Sequence, residues 1–244
     1  MFTTNHFILL CFSLAIIIGM MLLNKYKKIP YDKALTLMVT ITTISEAVKV
    51  FVNMQEGYGG GRILDPADLP FHLCSVQIFF LYSLKFIIKN EQTKEKLLGF
   101  MAPTLLFGGI IALLIPTVGV RFNKVQVYQF FAFHTFVTWF ALYIVKERLV
   151  NYNWKYFVRN LSILGLLALF ATYVNSILSK TNEKVNFFYL ARPPMENLPI
   201  LNLNNGWYAY FFTLAGIVIL LLFLFHLTVQ TIYKIQDKKL ANNC

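Results

Sequence analysis

Apolar residues come in long runs along this chain, separated by short loops that are mostly basic or turn-rich. Seven stretches, approximately 6–23, 34–52, 69–88, 97–118, 125–145, 157–178 and 207–233, approach the ~20 apolar residues needed to cross a hydrocarbon core. The second is the least apolar of the seven. Hydrocarbon offers no hydrogen-bond partner to a backbone, so such stretches fold as helices. The pattern predicts an all-α polytopic membrane helix bundle of about seven transmembrane helices, with residues 1–244 forming a single integral membrane domain. The first stretch is expected to be an uncleaved helix rather than a secretory signal. It has no basic residue before it and is followed by Lys25, Lys27 and Lys28, the reverse of a signal peptide's polarity.

Composition agrees, with 57% hydrophobic and 14% charged residues and a mean hydropathy of +0.60, values of an integral membrane chain. The net charge of +11 is not a nucleic-acid signature, because the cations are sorted between alternate loops. Lys25, Lys27, Lys28, Lys33, Lys89, Lys94, Lys96, Lys146, Arg148, Lys155, Arg159, Lys234, Lys238 and Lys239 fall on one side, fourteen in all. Arg62, Arg121, Lys124, Lys180, Lys184 and Arg192, six in all, fall on the other, with Lys49 and Lys85 inside spans. The positive-inside rule then places the N-terminus outside and the C-terminus in the cytoplasm of a multi-pass cell-membrane protein. The three cysteines, Cys11, Cys74 and Cys244, are too scattered for a disulfide framework or a metal cluster.

Two connections on the outer side are longer than the rest. Residues 53–68 carry Gly57, Gly59, Gly60 and Gly61, which make a turn-rich loop. It leads to Pro70 as a first-turn residue of the third helix, with Asp68 as its cap. Residues 179–206 mix Phe187, Phe188 and Tyr189 with Pro193, Pro194 and several asparagines. That composition fits either an aromatic anchor at headgroup level or a lid over a site between the helices.

Ionisable and polar groups at membrane depth are costly unless something satisfies or uses them. Thr42, Glu46, Lys49 and Asn53 follow spacings of four, three and four on span two, one helical stripe. Glu46 and Lys49 are spaced to pair. On span three, Gln77 and Lys85 share the face of Cys74, whereas His72 points roughly opposite in a regular helix. His134 lies two to three turns deep in span five, and Thr172, Asn175 and Ser179 form a stripe toward the outer end of span six. Four spans therefore send polar groups to one outer-half region. His226 lies at the inner part of span seven and reads as structural.

A cysteine thiolate with a histidine to carry the proton forms an acyl thioester. Cys74 and His134 are the candidate pair, and Gln77 or Asn175 a donor to the developing oxyanion. Membrane phospholipids or lysophospholipids are the acyl esters such a site meets. The alternative is a non-catalytic transporter or small-molecule or lipid-binding membrane protein using the same pocket, with Glu46 and Lys49 as ligand-pairing charges. A metal on His72, Cys74 and His134 is a lesser alternative. The chain carries no phosphate loop, paired-carboxylate arrangement or His-Glu-x-x-His zinc spacing, so neither cofactor nor metal is expected, and no nucleic-acid partner.

The segment Leu69-Pro70-Phe71-His72-Leu73-Cys74-Ser75 resembles the L-P-x-H-L-C-S segment of the YwaF-type family of bacterial integral membrane proteins. The histidine span around His134, and Asn186 through Tyr189-Leu190 with the following prolines and Trp207, are similar to further parts of that family's pattern. Phe187 stands where the family has a tyrosine, and Arg192 precedes the prolines. The likeness runs from about residue 40 to 230. The family looks related to eukaryotic transmembrane protein 164, an acyltransferase acting on ether lysophospholipids, and more distantly to the androgen-induced membrane hydrolases. What the resemblance implies is an acyl-transfer pocket with Cys74 as nucleophile and His134 as base, and with His72, Gln77 and Glu46 as pocket residues.

Overall fold

The structure, a computed structural model, describes residues 3–56, 61, 63–195 and 198–241. Gly57, Gly59, Gly60 and Arg62 of the turn-rich loop, and Cys244, lie outside the described residues. Seven α-helices are present among the described residues, with no β-strand. They are α1 (Thr4–Lys27), α2 (Tyr31–Glu56), α3 (Leu73–Tyr82), α4 (Glu91–Leu114), α5 (Val125–Lys146), α6 (Trp154–Leu178) and α7 (Gly206–Ala241). Six are long and apolar enough to cross a membrane. The seventh, α3, continues through a single π-helical turn, Ser83–Ile87, into an apolar helix ending at Ile87.

That short helix is where the sequence expectation and the structure part. Pro70 does not open α3, and Asp68 does not cap it. Asp65 caps a short 3-10 turn, Pro66–Asp68, accepting from the Ala67 amide, with Pro66 in the first position. The chain then turns through Leu69–Phe71, and α3 starts at Leu73 with extended His72 at its N-cap. Fifteen helical residues rise only ~22 Å, short of the ~30 Å hydrocarbon core. Irregular backbone at such depth is tolerated only where protein or a polar cavity covers it.

Successive helices run antiparallel. Near the N-terminal end of the bundle, Asn5 of α1 donates to the Val120 carbonyl and Gln126 of α5 to Asn53 of α2. At the other end Lys85 pairs with Asp32 and Arg148 with Asp237. The lysines of the short loops gather at that second end, as their alternation along the chain predicts. Leu166, Leu169 and Phe212 are among the exposed apolar side chains on the bundle's flanks, the surface a bilayer requires.

The core centres on α4 and α5, with Phe100, Met101, Trp139, Phe140 and Tyr143 almost wholly buried. Small residues let α4 approach its neighbours. A Cβ on Gly109 would lie 2.2 Å from the Thr138 hydroxyl of α5, and one on Gly99 would lie 2.6 Å from the Tyr156 ring of α6. Pro103 lies inside α4 and has no N–H to bond the carbonyl one turn earlier, that of Gly99. The buried amide of Asn160 on α6 donates to that carbonyl at 2.8 Å. This side-chain bond replaces the missing helical one.

Candidate functional site

A chamber of about 770 Å³ lies among α2 to α7. Its two parts differ in chemistry. Toward the N-terminal end it is bordered by Glu46, Lys49, Asp68, His72, Cys74 and His134. A second limb descends between α4, α6 and α7 past Phe107, Leu164, Leu214 and Val218 to Leu161 and Leu222. Leu222 lies eleven residues below Phe211 on α7, or ~16 Å at the helical rise. Polar groups thus sit at the mouth of a long apolar slot.

Cys74 and His134, which the sequence pairs at a distance of sixty residues, border this one chamber. Adjacent glycines of α4 seat them. A Cβ on Gly108 would stand 3.1 Å from the Cys74 sulfur, and one on Gly109 would stand 3.0 Å from the His134 carbonyl. Neighbouring helix residues differ by only ~1.5 Å in height, so α3 and α5 bring the Cys74 sulfur and the His134 backbone to one level of α4. His134 is buried, and its Nδ1 lies 2.8 Å from the Phe130 carbonyl. A carbonyl can only accept, so Nδ1 carries the proton and the neutral ring presents an Nε2 lone pair. That is the tautomer a general base needs.

His72 joins them because α3 begins after it. In extended N-cap geometry its side chain escapes the helical alternation that would have turned it away from Cys74. Its ring packs against Phe187 and Tyr189, with centroids 5.2 and 5.3 Å away.

Those two aromatics come from the long 179–206 connection, which takes the lid position of the two expected for it. Phe187 is fully buried, in a cluster with Ala171, Val185 and Leu190 and against Leu69 and Phe71. Asn175 of α6 grips it from both sides, donating to its carbonyl and accepting from its amide. The Trp207 indole donates to the Leu190 carbonyl, and the Tyr210 hydroxyl to that of Tyr189. Asn182 donates to Asp65 and so ties the lid to the segment before α3. Phe188 and Tyr189 adopt φ of 58° and 55°, a left-handed conformation costing ~1–2 kcal/mol per residue. Backbone held this way persists only where its surroundings over-determine it.

The remaining sequence candidates divide. Glu46 and Lys49 form the expected ion pair, each about one-fifth exposed, and both border the chamber. Gln77 does not. It is buried behind the wall and donates to the Thr104 hydroxyl at 2.8 Å. Asn175 is engaged by the lid, and neither amide borders the chamber. His226 lies outside the chamber, its Nδ1 2.8 Å from the Leu222 carbonyl.

Sequence reasoning missed Tyr189 and Thr117 as site residues, although both border the chamber. Burial raises the Tyr189 phenol above its ordinary pKa, the nearby Cys74 sulfur adds to the rise, and the Thr117 side chain opposes it. The phenol therefore keeps its proton and stays a donor. Only an aromatic at a loop position announced it.

A family model described as TMEM164 family matches residues 1–226. The YwaF-type name is not the one the match carries. No curated protein and no solved structure is significantly similar to the chain.

Proposed function

Because the chain belongs to the TMEM164 family of membrane proteins, we propose that it transfers or hydrolyses acyl groups of membrane phospholipids or lysophospholipids through a thioester on Cys74. The observation that carries this reading is the joining of Cys74 and His134 to a deep apolar slot within one chamber. A fatty acyl chain fits such a slot, and its ester would lie at the polar mouth.

His134 Nε2 takes the thiol proton, and the thiolate attacks the ester carbonyl. The tetrahedral oxyanion accepts a hydrogen bond from Tyr189, a protonated donor on the chamber wall within electrostatic reach of the Cys74 sulfur, in place of Gln77 or Asn175. The ester C–O bond breaks, and the leaving alkoxide takes the proton from His134. A hydroxyl of a lysophospholipid, or water, then gives its proton to His134 and attacks the thioester. The C–S bond breaks, the acyl group leaves on the acceptor, and the departing thiolate takes the proton back from His134 to restore the thiol. His72 and the Glu46–Lys49 pair border the ester end and hold the headgroup. The excess of basic loops at the other end of the bundle orients the chamber toward the outer face of the cell membrane.

Intact-protein mass spectrometry after incubation with mixed phospholipids tests this. An acyl-sized, hydroxylamine-sensitive adduct should map to Cys74, disappear in Cys74→Ser and fail to form in His134→Ala, with helical content unchanged. Folded wild-type protein that gains no adduct would leave the chamber as a non-covalent binding or transport site.

A further inference from the structure

A second cavity lies on the flank of the bundle, a groove of about 550 Å³ between α2 and α3. Ala47, Val50 and Phe51 form one side, and Ile78, Phe79 and Tyr82 the other. Phe51 and Phe79 are 64% and 54% exposed. On a helix that spans a bilayer, such side chains face acyl chains rather than water. The Tyr82 hydroxyl meets the Thr43 hydroxyl at 2.7 Å, closing the groove toward the lysine-rich end.

Exposed apolar surface needs no explanation in a membrane, but a carboxylate in its wall does. Glu46 borders this groove and also the chamber, and so does Ser75, the residue after Cys74. The two cavities therefore share a wall made of one carboxylate and one hydroxyl. Lys49, the ion-pair partner of Glu46, borders the chamber but not the groove. The pair lies across the partition with its cation on the inner side. A phosphate arriving from the bilayer would meet an ammonium just beyond the partition.

We propose that the groove between α2 and α3 is a lateral port and acyl-chain site for a membrane phospholipid, which reaches the chamber past Glu46 and Ser75 with its phosphate drawn to Lys49. The proposal rests on the reading of the chamber as a lipid site. It gives an acyl-transfer protein what a lid at the N-terminal end leaves out, a route for a substrate that never enters water. The lid is pinned by Asn175, Trp207 and Tyr210, whereas the groove and the chamber meet at Glu46 of α2 and Ser75 of α3.

The full chain in phosphatidylcholine nanodiscs, doped with phosphatidylcholine bearing a photoactivatable diazirine in its acyl chain, provides the test. Cross-links are mapped by peptide mass spectrometry as a function of time before illumination. Wild type should label the groove at Phe51 and Phe79 and the chamber at Phe107 and Leu214. Ala47 is exposed on α2, so Ala47→Trp fills the groove without touching the core. Chamber labelling should then slow about tenfold or more, because blocking an access path acts on the association rate. Phe212, exposed on α7, should label as before. Val50→Trp, one turn along, should repeat the effect should Ala47→Trp not fold. Unchanged chamber labelling in both folded variants would overturn the port while keeping the chamber as a lipid site. A chamber that never labels in wild type would overturn the lipid reading itself, and the port with it.

Discussion

Gly108 and Gly109 put no Cβ on the part of α4 that faces the Cys74 thiol and the His134 backbone, and the two positions answer to different neighbours. Beside Gly108 stands a single sulfur, 3.1 Å from where a Cβ would be. Gly108→Ala should leave the thermal melting point nearly unchanged while displacing the Cys74 thiol. Misplacement of a reacting group by ~1 Å costs on the order of 10²-fold in rate, so adduct formation at Cys74 should slow well beyond any loss of stability. Gly109 faces the Thr138 hydroxyl at 2.2 Å and backbone at 3.0 Å. Gly109→Ala should therefore destabilise the fold by ~1–3 kcal/mol, as overpacking does. Equal melting points for the two variants would contradict this division. The sequence displayed both glycines at midspan, but not which neighbour each one admits.

Among the elements, α3 and the 186–190 lid decide the site's shape. Cutting α3 short brings the preceding segment into the bundle, so that Asp68 and His72 reach the chamber. Asn175 holds the lid through two bonds to one residue. Asn175→Ala leaves a buried amide and a buried carbonyl unsatisfied, at ~1–3 kcal/mol each. Hydrogen exchange at Phe187 and its neighbours should accelerate, with α4 and α5 as protected as before. Unaltered exchange across 186–190 would show that the aromatic packing alone holds the lid. Asn175 was visible as part of a polar stripe, yet its work is to position the lid. A stripe shows that a face has a partner and does not say what the partner is.

For the whole molecule, the open quantity is orientation. The lysine-rich loops collect at one end of the bundle, and the positive-inside rule predicts that this end is cytoplasmic. Cysteines introduced at exposed positions test it in a chain lacking Cys11 and Cys244. Asn123→Cys, between α4 and α5, should react with a membrane-impermeant maleimide in intact cells. Asn151→Cys, between α5 and α6, should react only after permeabilisation. The reverse pattern would invert the chamber and require its lipid to come from the inner leaflet.

The number and type of the helices, their alternation of direction and the Glu46–Lys49 pair were legible in the sequence. Each follows from local rules: hydrocarbon forces a backbone to satisfy itself within its own segment, and residues three or four apart share a helix face. The late start of α3, the double grip of Asn175 on Phe187, the nearness of Tyr189 to the thiol and the apolar slot were decided only by tertiary structure. So was the groove that shares Glu46 and Ser75 with the chamber. These features are spaces and contacts between helices far apart in the chain. They depend on which small residues let two helices close and where a short helix leaves a gap, and no single segment carries that information.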